Sequence, residues 1–453
     1  MANKHTMSDL YQMQSLPLSV KINMTKRRIT EWVSEYGLDG VYVSFSGGKD
    51  STVLLHICRE LFPDIKAMFV DVPTQYPELR QFVKTFENVD IVMPKKNFMQ
   101  VCKEYGFPLI SKEVSECVYG ARKYLTKILE EESLDKQASK QASYGYYYDK
   151  LTGNGAYSKF SESPSSVELL EKANLDSIRG GYRHCYQYET ERILGLKGTP
   201  KIIDGGTTTS IENSEELASI AKKRGNARLK MMMGVYPSRS GGENREGRSA
   251  YSQEKYKFFL DAPFEISNRC CNEMKKNPAH RYHKETGRNP IIATMASESR
   301  LRTQKWLENG CNGFNLTIPT SNPMSFWTEQ DVLLYIKLNN IPICSVYGDI
   351  VYDYESVDMV QGQMTISDIK GFEDCELFDA QRPPLKTTGC DRTGCVLCGF
   401  GCHLEKDGEG RFELLKETHE GLYNLLDVCE NNGITYRQAI DWVNEHGNLN
   451  IRY

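Results

Sequence analysis

Apolar positions along this chain recur with two periods. Short runs of β-branched and aromatic residues, Val41 to Phe45, Ile65 to Val72 and Val89 to Met93, read as buried strands. Around them lie stretches with apolar residues at helical spacing. Leu16 to Tyr36 puts Ile22, Met24, Ile29, Trp32 and Val33 on one approximate face, and Gly37-Leu38-Asp39-Gly40 ends it. Val53 to Phe62 repeats the pattern with Val53, Leu54, Ile57 and Leu61, and Pro63 stops it. Glu78, after Tyr76-Pro77, begins another helix. Phe98 to Tyr105 is a further one, and Ile110-Ser111-Lys112-Glu113 opens the next. Strand alternating with helix at this spacing predicts an α/β fold, a doubly wound parallel sheet.

The pattern breaks near residue 121. From there to about 256 the chain is polar and rich in Ser, Lys and Tyr, with Tyr144 to Tyr148 followed by Gly153-Asn154-Gly155. Ser165 to Ala173 and Ser214 to Lys223 read as short helical pieces, and Ser238 to Glu243 as a loop. Tyr182, Arg183, Tyr186, Tyr188 and Arg192 form a set that stacks on bases, or simply a polar elaboration or oligomer contact. The sheet pattern resumes at Ile291 to Met295. Thr328 reads as an N-cap with Asp331 at the capping-box position, and its helix runs to Asn339. The expected organisation is residues 1–120 as the first half of a nucleotide domain and 121–256 as an insertion. Residues 257–350 form the remainder, and 351–453 a Cys-rich C-terminal region with terminal helices.

The junction between the first strand and the next helix carries the chemistry. Ser46-Gly47-Gly48-Lys49-Asp50-Ser51 lets the backbone approach an anion, because the glycines put no Cβ in the way. The unpaired N–H groups of the first helical turn, with the helix dipole behind them, would face that anion. Ser46, Ser51 and Thr52 add hydroxyl donors. The spacing fits neither G-x-G-x-x-G nor the Walker A pattern.

This hexapeptide after a strand resembles the pyrophosphate loop of the adenine-nucleotide α-hydrolase superfamily. The segments Asp71 to Glu78 and Leu109 to Glu113 resemble the phosphoadenylylsulfate reductase family within it. So do Trp327-Thr328 with Asp331-Val332 and Ile341-Pro342. The family's Asp-Thr-Gly-like turn is Asp71 with Val-Pro-Thr here. Its Gly-x-Arg-x-x-Glu-Ser-x-x-Arg-like segment survives as Glu298, Ser299, Arg300 and Arg302, with Met295 at the first arginine. The resemblance implies nucleotide contacts from Ser44, Ser46, Gly47, Gly48, Lys49, Asp50, Ser51, Thr52 and Asp71. It implies anion contacts from Glu298 and Arg302, and catalytic roles for Lys49, Asp50 and Arg300. An arginine fork matches two oxygens of a sulfate or phosphate at once. Trp327 is read as scaffold.

The cysteines extend the likeness. Cys270-Cys271 and Cys395-x-x-Cys398 resemble the cluster signature of the iron–sulfur branch of that family, which implies a [4Fe–4S] cluster, with zinc as the alternative. Cys390 and Cys402 supply a rival local set with Cys395 and Cys398. Cys311 and His403 are further candidates. Cys58, Cys102, Cys117, Cys344 and Cys429 fall on helical or strand patterns and read as packing. The family's C-terminal Glu-Cys-Gly-Leu-His has no counterpart beyond a faint Gly401-Cys402-His403-Leu404. The chain therefore looks more like the divergent members of the family found beside mobile elements and phage genes.

Composition changes little in this picture. Net charge is -4, with 40% hydrophobic and 26% charged residues, so bulk basicity does not argue for nucleic acid. No window of eighteen uncharged apolar residues occurs, so no transmembrane helix and no membrane partner are expected. Met1 to Ser19 lacks a signal-peptide core. A cytoplasmic location is expected, and there fourteen cysteines are ligands, redox groups or packing.

The leading expectation is an enzyme that binds ATP and Mg²⁺ at the Ser46–Ser51 loop and adenylylates an acceptor. A sulfur species carried on the cluster would then displace AMP. The acceptor would be tRNA, DNA or a small molecule. One alternative is reduction of adenylylsulfate or its 3′-phosphorylated form to sulfite, with Arg300 and Arg302 toward the sulfate. Another is a nucleotide-sensing subunit with residues 121–256 as a protein-partner surface.

Overall fold

The alternation of strand and helix builds the sheet it predicts. The computed structural model describes residues 4–124, 226–236, 249, 251–354, 383–406, 408 and 410–453. The tyrosine runs, short helical pieces and loop expected between 144 and 223 and at 238–243 lie outside the described residues, as do Tyr182, Arg183, Tyr186, Tyr188 and Arg192. The chain divides into two compact units. The first takes Met1–Val101, Arg269–Cys398 and Arg411–Asn424; the second takes Cys102–Asn268, Gly399–Gly410 and Leu425–Tyr453.

The strands in chain order are β1 (Val41–Ser44), β2 (Ala67–Val70), β3 (Val89–Val92), β4 (Leu109–Ile110), β5 (Asn289–Ile291), β6 (Asn312–Gly313), β7 (Thr320–Ser321), β8 (Ile350–Tyr352), β9 (Leu385–Thr387), β10 (Gly399–Phe400), β11 (Glu430–Asn431) and β12 (Ile434–Thr435). In the first unit six of them form one sheet in the order β3-β2-β1-β5-β7-β6. All neighbours are parallel except β6, which runs antiparallel to β7. The chain winds outward from β1 through β2 to β3, then returns to the other side of β1 at β5. The strand order therefore reverses between β1 and β5, where open α/β sheets place ligands.

The first helices are α1 (Met7–Gln14), α2 (Leu18–Tyr36), α3 (Lys49–Leu61), α4 (Pro77–Lys84) and α5 (Phe98–Tyr105). Helix α3 starts ahead of the predicted Val53, since its polar first turn is already helical. Val41, Val43 and Phe45 bury one face of the sheet with Trp32, Ile57 and Trp327, while Tyr42 buries the other with Met68 and Tyr282. Each such side chain contributes about 1.5–3 kcal/mol by leaving water. Trp327 is scaffold, as expected: its Nε1–H donates to Thr25 Oγ1 at 2.9 Å. The Thr328–Asp331 capping box forms at the head of the helix Glu329–Leu338. Asp331 also accepts two hydrogen bonds from the buried Lys21 ammonium, at 2.8 and 2.7 Å.

Two predicted strands shift. The Ile65–Val72 run ladders only over β2, because Val72 N–H turns to Gln75 Oε1 at 3.2 Å. The Ile291–Met295 run ends as β5 at Ile291. Ile292 N–H still reaches Ser321 O at 2.8 Å, but Thr294 N–H folds back to Ile292 O at 3.0 Å.

The second unit packs Phe107 on Tyr436 with ring centroids 4.7 Å apart. Tyr436 begins the helix Tyr436–Gly447, and its hydroxyl binds Gly399 N–H at 3.1 Å beside the β4–β10 pair. Among the described residues no helix is long and apolar enough to cross a membrane.

Candidate active site

Strand β1 ends at Ser44, and the chain turns through Gly47 and Gly48 into α3. Gly47 has φ +73°, and a Cβ there would lie 2.8 Å from Val83 Cγ2, so only glycine fits. Ser46 N–H donates to Ser51 Oγ at 3.1 Å. The Ser51 and Thr52 hydroxyls donate back to Gly48 O at 2.9 and 3.0 Å. The Ser46 hydroxyl, though its residue is exposed, lies 3.0 Å from Ser51 Oγ and accepts the Gly48 N–H at 3.4 Å, so all three expected hydroxyls hold the loop's shape.

A cleft of about 660 Å³ opens at this turn, against the end of β5. Ser44, Ser46, Gly48, Lys49, Asp50 and Ser51 line one part of it, and Ile292 to Met295, Ser297, Glu298 and Arg302 another. Thr328 to Gln330, Tyr347 and Arg392 to Gly394 complete the lining. The cleft lies at the sheet's topological switch point, as the fold demands.

Lys49 is buried and fully engaged. Its Nζ donates to Asp391 O at 2.7 Å and pairs with Glu329 at 2.9 Å. Its backbone N–H donates to the Tyr347 hydroxyl at 3.1 Å, which shares a 2.8 Å bond with Thr393 Oγ1. Asp50 Oδ1 is buried without a hydrogen-bond partner among the described residues. Burial raises the Asp50 carboxyl above its ordinary range, against the pull of Lys49 and with the push of Glu329. Arg302 pairs with Glu298, whose Oε2 also accepts Met295 N–H at 2.8 Å. Burial, and then the Arg392 charge, lower the Arg302 guanidinium.

Four expected site residues do not line this cleft. Arg300 is exposed at the first position of the helix Arg300–Asn309, whereas Arg302 enters the cleft. Residues two apart on a helix do not share a face. Asp71 follows β2 and pairs with Arg80. Gly47 and Thr52 shape the loop from behind.

The thiols gather in the first unit. None of the described cysteines is in a disulfide. Cys270 shares a hydrogen bond with Cys271, and that bond, burial and the nearby Cys398 and Cys395 push its thiol far up. The four expected ligands are thus brought within electrostatic reach of one another. A single π-helical turn, Asn272–Lys276, follows the adjacent pair; such turns cluster at functional sites. It carries Lys275, whose ammonium is raised chiefly by Cys395, against burial. The other pair is fixed by Cys398 N–H to Cys395 O at 3.1 Å and Val396 N–H to Thr74 O at 2.9 Å. Gly394, just before Cys395, has open space at its Cβ position and no left-handed φ. Among the described residues no three His, Cys, Asp or Glu side chains are grouped so as to hold a metal ion as they stand.

The alternates lie elsewhere. Cys390 faces Cys344 and Lys49, and burial pushes its thiol up to about 11. Cys402 is buried in the second unit, beside His403, whose Nε2 meets the Tyr256 hydroxyl at 3.4 Å. Cys311 is buried near Trp306 and Arg28.

A family model described as phosphoadenosine phosphosulfate reductase domain matches residues 40–145 and 216–399. The chain belongs to this family. Shorter stretches are similar to curated proteins. A probable FAD synthase of Caenorhabditis elegans is 33% identical over 82 residues, 16% of each chain. One of Caenorhabditis briggsae is 29% identical over 94 residues, 18% of each chain. An uncharacterised protein of Methanocaldococcus jannaschii is 32% identical over 72 residues, 15% of this chain and 18% of its own. The chain thus spans less than a fifth of the length of these curated relatives.

As a reductase-family member the chain carries the expected loop, but several residues of its cleft gave no motif signal. Tyr347 comes from the 3₁₀ turn Ser345–Tyr347, Arg392 and Thr393 from the approach to the thiols, and Glu329 from a helix start read only as scaffold. Lys275 was equally silent. The sole hint was the position of Arg392-Thr393-Gly394 directly before Cys395.

Proposed function

We propose that this chain is a nucleotide-binding enzyme that adenylylates an acceptor for sulfur transfer, with the ATP phosphates on the Ser46–Ser51 loop. The observation that carries the reading is the switch-point cleft. Its floor is the N-terminus of α3, and its wall, Arg392 to Gly394, runs straight into Cys395-x-x-Cys398. The acceptor's nucleophile attacks the α-phosphorus, the bond to the β-phosphate breaks, and pyrophosphate departs. Its charge is met by the Gly48 and Lys49 amides and the Lys49 ammonium. A sulfur nucleophile then displaces AMP from the activated acceptor. The partial likeness to proteins named as FAD synthases favours adenylyl transfer.

Two further groups fit. Mg²⁺ would find a donor in Asp50, whose Oδ1 is buried without a hydrogen-bond partner among the described residues; a bound cation would neutralise phosphate charge. Cys270, Cys271, Cys395 and Cys398 offer the four-thiolate donor set of a [4Fe–4S] cluster. Such a cluster would supply an electron or sulfur carrier, and Lys275 would balance its charge. We place the enzyme in the cytoplasm, where these thiols stay reduced.

The test is turnover. Purified without oxygen and given ATP with tRNA, DNA or small-molecule acceptors, the enzyme should release AMP and pyrophosphate. Release of ADP and phosphate overturns the reading. Family membership itself favours a second reading, reduction of adenylylsulfate or its 3′-phosphorylated form. A thiol-dependent assay that yields no sulfite from either substrate removes it.

A further inference from the structure

Arg392 belongs to no motif, yet the chain around it is fixed on both sides. Cys390 N–H donates to Val346 O at 2.9 Å, and Asp391 O accepts the Lys49 ammonium at 2.7 Å. Thr393 Oγ1 is tied to the Tyr347 hydroxyl at 2.8 Å. The Arg392 side chain, between these anchors, lines the cleft and makes no hydrogen bond or ion pair among the described residues.

The other charges of the cleft are already matched. Lys49 is paired with Glu329, and Arg302 with Glu298. Arg392 and Asp50 form no ion pair at bonding distance among the described residues, although each feels the other's charge, and Asp50 is the group suited to a divalent cation. With that cation bound, the cleft would hold an uncompensated guanidinium beside a metal ion. Asp391 O holds the Lys49 ammonium and Thr393 Oγ1 the phenol bonded to the Lys49 N–H, so Arg392 is carried on the anchors of the very loop that the nucleotide reading gives to the pyrophosphate. The repulsion Arg392 exerts on Arg302 is relieved by the same anion.

We propose that Arg392 grips the phosphates beyond the α-phosphate and so selects a nucleoside polyphosphate over a monophosphate. The inference rests on the nucleotide reading of the cleft. A planar guanidinium meets two phosphate oxygens at once. Its backbone is anchored in advance, so only the side chain is left to order on binding.

The experiment is calorimetric titration of the full chain with Mg²⁺ and ATP, inorganic pyrophosphate or AMP. Arg392→Gln should weaken ATP and pyrophosphate by roughly tenfold or more while AMP stays within about twofold. Arg392→Lys should recover part of the loss. Thermal unfolding should be unchanged in both variants, since the side chain supports nothing in the fold. Equal weakening of ATP and AMP, or no change in either, overturns the assignment to Arg392. A wild type that binds none of the three overturns the nucleotide reading, and this inference with it.

Discussion

Tyr347→Phe removes one oxygen and leaves the ring. That oxygen accepts the Lys49 N–H at 3.1 Å and is bonded to Thr393 Oγ1 at 2.8 Å, in a side chain that is 2% exposed. Each neutral hydrogen bond is worth about 0.5–1.5 kcal/mol net, so the unliganded protein should lose about 2 kcal/mol. For a folded body of this size that corresponds to a fall in Tm of roughly 4–8 °C. The sign for ligand is opposite. The Lys49 amide is a first-turn donor of α3, the group that a bound phosphate would take. In the wild type the phosphate must displace the phenol first. Without the phenol, ATP should bind more tightly by about 1 kcal/mol, roughly fivefold. Thermal scans and calorimetric titration on the same preparations check both halves. Weaker ATP binding would show that the hydroxyl holds the phosphate rather than its place, and an unchanged Tm would refute the hydrogen-bond account.

Gly47→Ala forces a left-handed residue to carry a Cβ 2.8 Å from the buried Val83, and should cost about 2–4 kcal/mol in denaturant melts; a loss within experimental error would mean the turn is not held as described. Asp261 has both carboxylate oxygens buried without partners among the described residues, and burial pushes it up to about 6, tempered by Arg122. Above that pH it is charged in both folded and unfolded chains, and the folded state bears the burial penalty. As pH falls toward the unfolded value the folded state protonates first and the penalty fades. Asp261→Asn should therefore stabilise by about 1–2 kcal/mol at about pH 8, discounted for partial exposure, and by nothing near pH 4. A pH-independent difference would contradict the burial account. Cys395→Ser should abolish the brown absorbance of anaerobically purified protein, while Cys390→Ser should keep most of it. Iron retained in the first variant, or stoichiometric zinc in the wild type, argues against the thiol assignment.

The loop was legible because its signal is local. Strand, paired glycines and helical period occupy one continuous window from Val41 to Phe62. The Thr328–Asp331 cap was legible for the same reason. Strand ends were not: the apolar runs outlast the ladders where Gln75 or a folded-back amide takes over. Arg300 and Arg302 look alike as charges in a line, and only the helical turn separates the exposed one from the cleft. Tyr347, Arg392 and Lys275 lie on short turns with no period of their own. Tertiary packing brings them to the site from far along the sequence.

The register of the central sheet also sets an order of events at the ribosome. Strand β1 pairs with β5 at Val41 and Asn289. At typical synthesis rates those partners emerge roughly 10–50 s apart. Until then β1 offers an unpaired edge of buried residues, Val41, Tyr42 and Val43, to any other strand nearby. Prematurely terminated chains would be born with that edge open. Nascent chains need shielding there, by a holding chaperone or by their own emerging residues, before the nucleotide cleft has its second wall.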